Sequence, residues 1–161
     1  MNRLTLAPSL LALLLTSPLA LGVSLGDLQA QTTACDANIR ALEINSTRLH
    51  YLECGKGEPL VFVHGAMGDL HTFQPQVQAF ASRYRVIAYS RRFSPPNAPP
   101  RATDVNPLST HVADLKALIE HLNAAPAHLV GSSYGAYTAL ALALAHPALV
   151  RSLVLSVALD L

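Results

Sequence analysis

Short apolar runs separated by helical patterns are the feature that most constrains the fold of this sequence. The runs are Leu60–Val63, Val86–Tyr89, Ala127–Val130 and Leu153–Val157. Strands that are apolar on successive residues are buried on both faces of a sheet. Such strands, when they alternate with helices, indicate a parallel sheet that is covered by helices on both sides. The sequence therefore predicts an α/β fold.

The segments between these runs carry helical spacing. Helices are predicted on Phe73, Val77 and Phe80, on Val112, Leu115, Ile119 and Leu122, and from Tyr134 to His146. Ser109 or Thr110 is expected to cap the second helix, and Asp114 suits its positive end. The third helix is apolar nearly all round from Ala136 to Ala145, which predicts an interior helix.

A β-hairpin is predicted ahead of the first apolar run. Ile39–Ile44 and Arg48–Glu53 have strand character and flank the turn-forming residues 45–47. The stretch from Ser94 to Pro107 holds prolines at positions 95, 96, 99, 100 and 107, so it is expected to be a loop.

The sequence Gly131-Ser132-Ser133-Tyr134-Gly135 is typical of a turn that presents a nucleophile. A sharp strand-to-helix turn strains its central residue and leaves room only for glycine two positions away on either side. It also places the serine at a helix N-terminus, where N–H groups favour negative charge. We predict that Ser133 is a nucleophile and that the backbone N–H of Tyr134 faces an oxyanion. A glycine-rich loop without chemistry is the alternative.

Three stretches, in this order, resemble the N-terminal part of an α/β-hydrolase. Pro59–Gly65 resembles the third strand and its His-Gly loop, Val86–Tyr89 resembles the fourth strand, and His128–Leu155 resembles the nucleophile turn, the following helix and the sixth strand. The resemblance implies a mostly parallel sheet with helices on both faces, truncated after about the sixth strand. It covers nearly all of residues 31–161, which we interpret as an incomplete α/β-hydrolase domain.

The resemblance also assigns roles to single residues. Ala66 is implied as the donor of a second oxyanion-hole N–H beside that of Tyr134, and His64 as a structural residue that anchors its loop. One departure follows the fourth strand, where the family has an acidic residue and then an arginine-glycine turn, and this chain has Ser90-Arg91-Arg92-Phe93. Arg91 and Arg92 suit a carboxylate or a phosphate, although a solvated or structurally paired role is favoured.

A base for Ser133 is not predicted within the chain. The family's triad runs in the order serine, acid, histidine, and Asp160 comes too early for the acid. No histidine follows His146, and none of those before it is expected near the serine. His71 is a candidate for the mouth of the pocket. We therefore expect the triad acid and histidine to lie beyond residue 161 or to have been lost.

Residues 1–30 have the form of a secretory signal peptide. Arg3 precedes an apolar stretch that Pro8 and Pro18 interrupt, and small residues follow at positions suited to cleavage. An uncleaved membrane anchor is the alternative, but it needs about 20 unbroken apolar residues. The signal predicts a secreted or periplasmic protein without a membrane segment after cleavage. In an oxidising compartment Cys35 and Cys54 can pair; two unrelated thiols are slightly favoured.

These observations predict a serine hydrolase that acts on an ester-like or related carbonyl substrate through an acyl-enzyme. A small-molecule substrate is implied, with no cofactor and no metal, and the net charge of +1 does not favour a nucleic-acid partner. A serine in place of an aspartate at position 133 argues against dehalogenase and epoxide-hydrolase chemistry. Cofactor-free perhydrolysis or carbon–carbon bond hydrolysis on the same frame stays open, as does a catalytically inactive remnant or binding protein. The oligomeric state is left open.

Overall fold

The computed structural model describes residues 39–105 and 107–157 of the chain. Its elements are β1 (Ile39–Ile44), β2 (Thr47–Cys54), β3 (Glu58–Val63), α1 (Gln74–Phe80), β4 (Tyr84–Tyr89), α2 (Leu108–His121), β5 (Ala127–Ser132), α3 (Tyr134–Ala145), a 3₁₀ turn (Pro147–Leu149) and β6 (Val150–Ser156). The predicted signal peptide, Cys35 and Asp160 lie outside the described residues.

The described strands form one sheet in the order β1-β2-β4-β3-β5-β6. β4, β3, β5 and β6 are parallel, and β1 and β2 add an antiparallel hairpin at one side. Asn45 and Ser46 both have positive φ angles, of 48° and 58°, as a tight two-residue hairpin turn requires. The predicted mostly parallel α/β sheet and the predicted hairpin are therefore confirmed.

Helices pack on both faces of this sheet. On one face α1 packs against side chains of β3 and β4, and the rings of Phe62 and Phe73 stack with centroids 4.8 Å apart. On the other face α2 and α3 cover Val61, Ile87 and Leu129. The central strands are buried on both sides, which explains their continuous apolar sequence.

Three expectations about the helices are wrong. The helix predicted after the proline loop begins at Leu108, and neither Ser109 nor Thr110 caps it. Asp114 therefore lies in the interior of α2 and not at its positive end. α3 buries only one face, because Tyr137, Leu140 and Leu144 on its other side are exposed.

Cys54 at the end of β2 is disulfide-bonded. The interpretation of Cys54 as an unrelated free thiol is therefore wrong. Cys35, the other cysteine of the sequence, lies outside the described part. Of the helices formed by residues 39–105 and 107–157, none has the length and apolar character needed to cross a membrane.

Candidate active site

Ser133 occupies a strained turn between β5 and α3. Its backbone angles are φ 50° and ψ −122°, which a non-glycine residue rarely adopts. The Ser133 N–H donates a 2.8 Å hydrogen bond to the carbonyl of Ser156 at the end of β6, so the neighbouring strand supports the turn. The side chain is exposed at the N-terminus of α3. The predicted turn geometry is therefore present.

The two glycines that flank the turn are required by close backbone contacts. A Cβ on Gly135 would lie 2.1 Å from the carbonyl oxygen of Val63, and a Cβ on Gly131 would lie 2.6 Å from the carbonyl oxygen of Gly135. Both distances are far below van der Waals contact. The start of α3 therefore packs directly on the carboxyl end of β3, which brings Ser133 beside the loop that follows β3.

His64, the first residue of that loop, is buried and fully hydrogen-bonded. Its Nδ1–H donates to the carbonyl of Gly65 across 2.7 Å, and its Nε2 accepts the backbone N–H of Arg91 across 2.9 Å. Burial is the main cause that lowers the pKa of His64 to about 4. Because the neutral ring already uses both nitrogens, it has no free site for the proton of Ser133. The predicted anchoring role fits this geometry.

Arg91 is buried with 4% of its surface exposed, and it contacts both sides of the site. Its Nη2 donates a 2.9 Å hydrogen bond to the Gly65 carbonyl, and its guanidinium carbon lies 4.9 Å from the centroid of the Tyr134 ring. Its Nε has no hydrogen-bond partner. Burial lowers the pKa of Arg91 from its ordinary value, although a guanidinium stays charged in proteins.

Arg92 has a different environment, because it pairs with Asp114. Arg92 Nε and Nη2 each lie 2.8 Å from one carboxylate oxygen, and that hydrogen bonding is the main cause that raises the pKa of Arg92. Asn45 also donates to Asp114 across 2.9 Å. The structurally paired role favoured for Arg92 is therefore confirmed. Its partner is Asp114, which the sequence had placed at the positive end of the helix.

The loop after β4, which departs from the family's sequence, is held by buried polar side chains. Asn97 Nδ2 donates to the carbonyls of Ser90 and Arg91 across 2.9 and 3.0 Å. Asn97 Oδ1 accepts the backbone N–H of His50 across 2.9 Å. The Ser90 hydroxyl donates to the Pro95 carbonyl. Sequence reasoning missed Asn97, whose position within a proline-rich stretch was the available signal for a turn-stabilising amide.

An open cleft of about 260 Å³ lies beside the turn, lined by Ala66, Arg91, Arg92, Phe93, Ser94, His111 and Tyr134. Two of these, Ala66 and Tyr134, are the predicted sources of oxyanion N–H groups. The ring of His111 packs edge-on against the Tyr134 ring, with centroids 5.4 Å apart. Burial, followed by the charge of Arg91, lowers the pKa of His111 to about 4. Sequence reasoning missed the contact between His111 and Tyr134, because His111 lies on α2, a helix that precedes the turn in the chain.

No histidine of residues 39–105 or 107–157 hydrogen-bonds to Ser133 Oγ, and the exposed ring of His71 lies 3.4 Å from Asp69 instead of in the cleft lining. His128 lies 2.7 Å from Ser152 Oγ and 3.2 Å from Glu58. That serine–histidine–carboxylate group lies near the amino ends of β3, β5 and β6. Ligands of parallel sheets bind at the opposite, carboxyl ends.

Metal ligands are not gathered in the part of the chain that the structure describes. Within it, no three residues of the types histidine, cysteine, aspartate and glutamate are placed to hold one ion.

The comparisons with known proteins agree with this fold. The sequence profile of the family described as "alpha/beta hydrolase fold" matches residues 58–161. A protein of Mycobacterium tuberculosis named "Putative non-heme bromoperoxidase BpoC" is 43% identical over 66% of this chain and 40% of its own length. An "Uncharacterized hydrolase YraK" of Bacillus subtilis is 30% identical over 68% of this chain and 41% of its own. The chain thus spans about two fifths of the length of the curated relatives it matches.

Solved structures of hydrolases share the fold. The epoxide hydrolase VrEH1 from Vigna radiata matches with a TM-score of 0.70 and 27% identity, over 73% of this chain and 39% of that one. A hydrolase from Pseudomonas aeruginosa matches with a TM-score of 0.68 and 26% identity, over 73% of this chain and 45% of that one.

Proposed function

Because this chain belongs to the α/β-hydrolase family, we propose that it carries the nucleophile and the oxyanion site of a serine hydrolase. Ser133 is the nucleophile, and the backbone N–H groups of Ala66 and Tyr134 bind the oxyanion. The substrate is a small molecule with an ester-like or related carbonyl group, and the reaction needs no cofactor. The predicted signal peptide further suggests that the protein acts outside the cytoplasm, in the periplasm or as a secreted protein.

The proposed reaction has two steps. Ser133 Oγ forms a bond to the substrate carbonyl carbon while a base takes the serine proton, and the carbonyl oxygen becomes negative. Collapse of this intermediate breaks the bond to the leaving group, which takes up the proton and leaves an acyl group on Ser133. Water then attacks the acyl carbon in the same way and regenerates the serine.

The backbone of Ser133 is the observation that carries this proposal. A left-handed serine held between two glycines that admit no side chain is a costly arrangement, since such backbone strain costs about 1–3 kcal/mol. It exposes the hydroxyl at the N-terminus of α3 and beside a cleft that Ala66 and Tyr134 line. A serine at this position, and not a carboxylate, favours acyl transfer over the epoxide opening named for several relatives.

The base for Ser133 is proposed to lie outside the described residues. Both nitrogens of His64 are engaged, and the family's acid and histidine follow the serine in chain order. The second candidate function rests on the lack of a free base for Ser133 among the described residues. If the triad acid and histidine are absent, the protein is a catalytically inactive remnant or a binding protein. An oxyanion hole alone leaves a residual rate of about 10³- to 10⁴-fold over water, so the two candidates differ measurably.

Covalent labelling distinguishes them. We expect a fluorophosphonate probe to form one adduct on the purified chain, with Ser133 Oγ bound to phosphorus and fluoride released, as located by peptide mass spectrometry. Ser133→Ala should abolish the adduct, and Ser132→Ala is the matched control that should keep it. A chain that stays unlabelled, or an adduct that persists in Ser133→Ala, would favour the non-catalytic alternative.

A further inference from the structure

Arg91 and Arg92 are neighbours in sequence, but only one of them is neutralised. Arg92 forms a two-point ion pair with Asp114. No carboxylate of residues 39–105 or 107–157 forms an ion pair with Arg91, and its Nε is buried without a partner. Burial of a charge without a counter-ion is unfavourable, because the charge loses its hydration. The groups that the Arg91 guanidinium contacts therefore indicate its role.

The main contact of Arg91 is the carbonyl of Gly65. That oxygen accepts Arg91 Nη2 across 2.9 Å, the Nδ1–H of His64 across 2.7 Å and the N–H of Gly68 across 3.3 Å. The carbonyl of Gly65 and the N–H of Ala66 belong to the same peptide group. Because this peptide is trans and planar, its N–H points away from its carbonyl oxygen. Three donors on one oxygen therefore fix the direction of the Ala66 N–H.

A cation on the carbonyl oxygen also changes the strength of the N–H group. Hydrogen bonds in a chain polarise one another, by about 10–30% for each bond. A charged donor on Gly65 therefore makes the Ala66 N–H a stronger donor. Arg91 Nη1 also lies 3.5 Å from His111 Nε2. Its guanidinium carbon lies 4.9 Å from the centroid of the Tyr134 ring, which places the same positive charge beside the residue that supplies the other proposed oxyanion donor.

We propose that Arg91 is a positioning residue of the oxyanion site, whose hydrogen bond to Gly65 orients and polarises the Gly65–Ala66 peptide toward the developing negative charge. The proposal rests on the proposed function, because it assumes that this peptide serves an oxyanion. Arg91 borders the cleft, but its guanidinium is engaged with the Gly65 carbonyl and acts on the substrate through that group. Its unbalanced charge acts through the peptide and, over a longer distance, by Coulomb attraction.

Two measurements on the full chain test this role. The first is the NMR shift of the Gly65 carbonyl carbon and of the Ala66 amide proton, which needs no catalysis. Both should move upfield in Arg91→Met, and Arg91→Lys should recover part of the change because it keeps one charged donor. The second is the second-order rate of fluorophosphonate labelling, which should fall roughly tenfold in Arg91→Met, with partial recovery in Arg91→Lys.

Arg85→Met is the matched control. Arg85 is half-buried and pairs with Glu53. Like Arg91 it donates to a backbone carbonyl, that of Leu122 across 2.8 Å, but on a part of the fold remote from Ser133. It should lower the unfolding midpoint and leave both the Ala66 resonance and the labelling rate unchanged. A merely structural role for Arg91 predicts the same pattern as Arg85, and that result would overturn the proposal.

The outcomes separate this proposal from the proposed function. If Ser133→Ala is labelled like the wild type, the nucleophile assignment fails, while the resonances of Gly65 and Ala66 still decide whether Arg91 polarises the peptide. If labelling depends on Ser133 but Arg91→Met reacts at the wild-type rate, the role of Arg91 is refuted and the nucleophile stands. Unmoved resonances in Arg91→Met refute it in either case.

Discussion

A methyl group at Gly135 would have two opposing effects on stability, a gain in helix propensity and a steric overlap with the backbone. Alanine is favoured over glycine in a helix interior by about 0.5–1 kcal/mol. However, a Cβ here would lie 2.1 Å from the Val63 carbonyl oxygen and 2.5 Å from that of His64. Both obstacles are backbone atoms of a buried strand end, so neither can rotate away. The steric cost therefore exceeds the gain in helix propensity, and glycine is needed for packing.

We predict that Gly135→Ala lowers the free energy of unfolding by about 3 kcal/mol and displaces Ser133 from its turn. Urea denaturation measures the first effect, and the loss of fluorophosphonate labelling measures the second. Ala141→Gly, on the same helix, is the control; it should cost about 1 kcal/mol through helix propensity alone and keep the labelling. A Gly135→Ala protein as stable as the wild type would show that the close contact is absent.

The two buried histidines of the site predict a pH dependence of stability. In the folded protein the pKa values of His64 and His111 are each about 4, mainly because of burial, whereas an unfolded histidine titrates near 6.5. Between these values the unfolded chain binds more protons, so the free energy of unfolding falls as the pH decreases. From pH 7.5 to pH 5.0 each ring should contribute a loss of roughly 2 kcal/mol.

Urea unfolding at these two pH values measures the loss. In His111→Gln the difference between the two values should shrink by the share of one ring, even if the variant is less stable at both. His121→Gln, at the exposed end of the same helix, should leave the difference unchanged. A wild-type stability that is equal at pH 7.5 and pH 5.0 would contradict the neutral state of both rings.

Among the elements, α2 is linked to the hairpin and to the loop after β4 by one buried carboxylate. Asp114, with 1% of its surface exposed, binds Arg92 in the loop and Asn45 at the hairpin turn. Arg92 Nη2 also donates to the Asn45 carbonyl across 3.1 Å. Three separate elements therefore share one polar cluster, which positions the loop that carries Arg91.

We predict that Asp114→Ala lowers the free energy of unfolding by about 3–5 kcal/mol, because it leaves a partly buried guanidinium without its partner. A double-mutant cycle with Arg92→Met measures the coupling, and the double variant should recover part of the loss. Lys116→Ala is the control on the same helix, since its pair with Glu120 is exposed and is worth about 0.3–0.5 kcal/mol. If Asp114→Ala and Lys116→Ala lowered the free energy of unfolding equally, the buried link through Asp114 would be contradicted.

At the scale of the whole molecule, the described structure has one apolar side without cover. β6 forms an edge of the described sheet, with Val154, Leu155 and Val157 exposed, and α3 exposes Leu140 and Leu144 next to it. Contiguous exposed apolar surface and an unpaired strand edge both promote association. The sequence predicted that each apolar run is buried on both faces, and for β6 this prediction is wrong, because most of its side chains are exposed.

We predict that the purified chain self-associates through this side as its concentration rises. Sedimentation velocity should show a mass that increases with concentration in the wild type, and Leu144→Lys combined with Val154→Lys should reduce the association. Ser46→Lys, at an exposed position of the hairpin turn, adds the same kind of charge at the opposite side of the sheet and should not reduce the association. A wild type that remains monomeric at high concentration would contradict the prediction.

Much of this fold and the turn at Ser133 follow from local sequence. Apolar runs alternating with helical spacing encode a covered parallel sheet, because burial on two faces removes the polar residues of each strand. The glycines at 131 and 135 encode the turn, since they are the residues that tolerate backbone contact at the distances found. Both signals lie within a few residues of the feature they specify, so no knowledge of distant contacts is needed.

Tertiary structure alone decides which charges are compensated. Arg91 and Arg92 are adjacent and chemically identical, yet one meets a carboxylate 22 residues away and the other meets the carbonyl of Gly65 from another loop. His111, placed by sequence on a remote helix, packs against Tyr134 for the same reason. The partner of a long side chain depends on which loops the sheet order brings together. That order is a property of the whole chain, and local sequence patterns do not contain it.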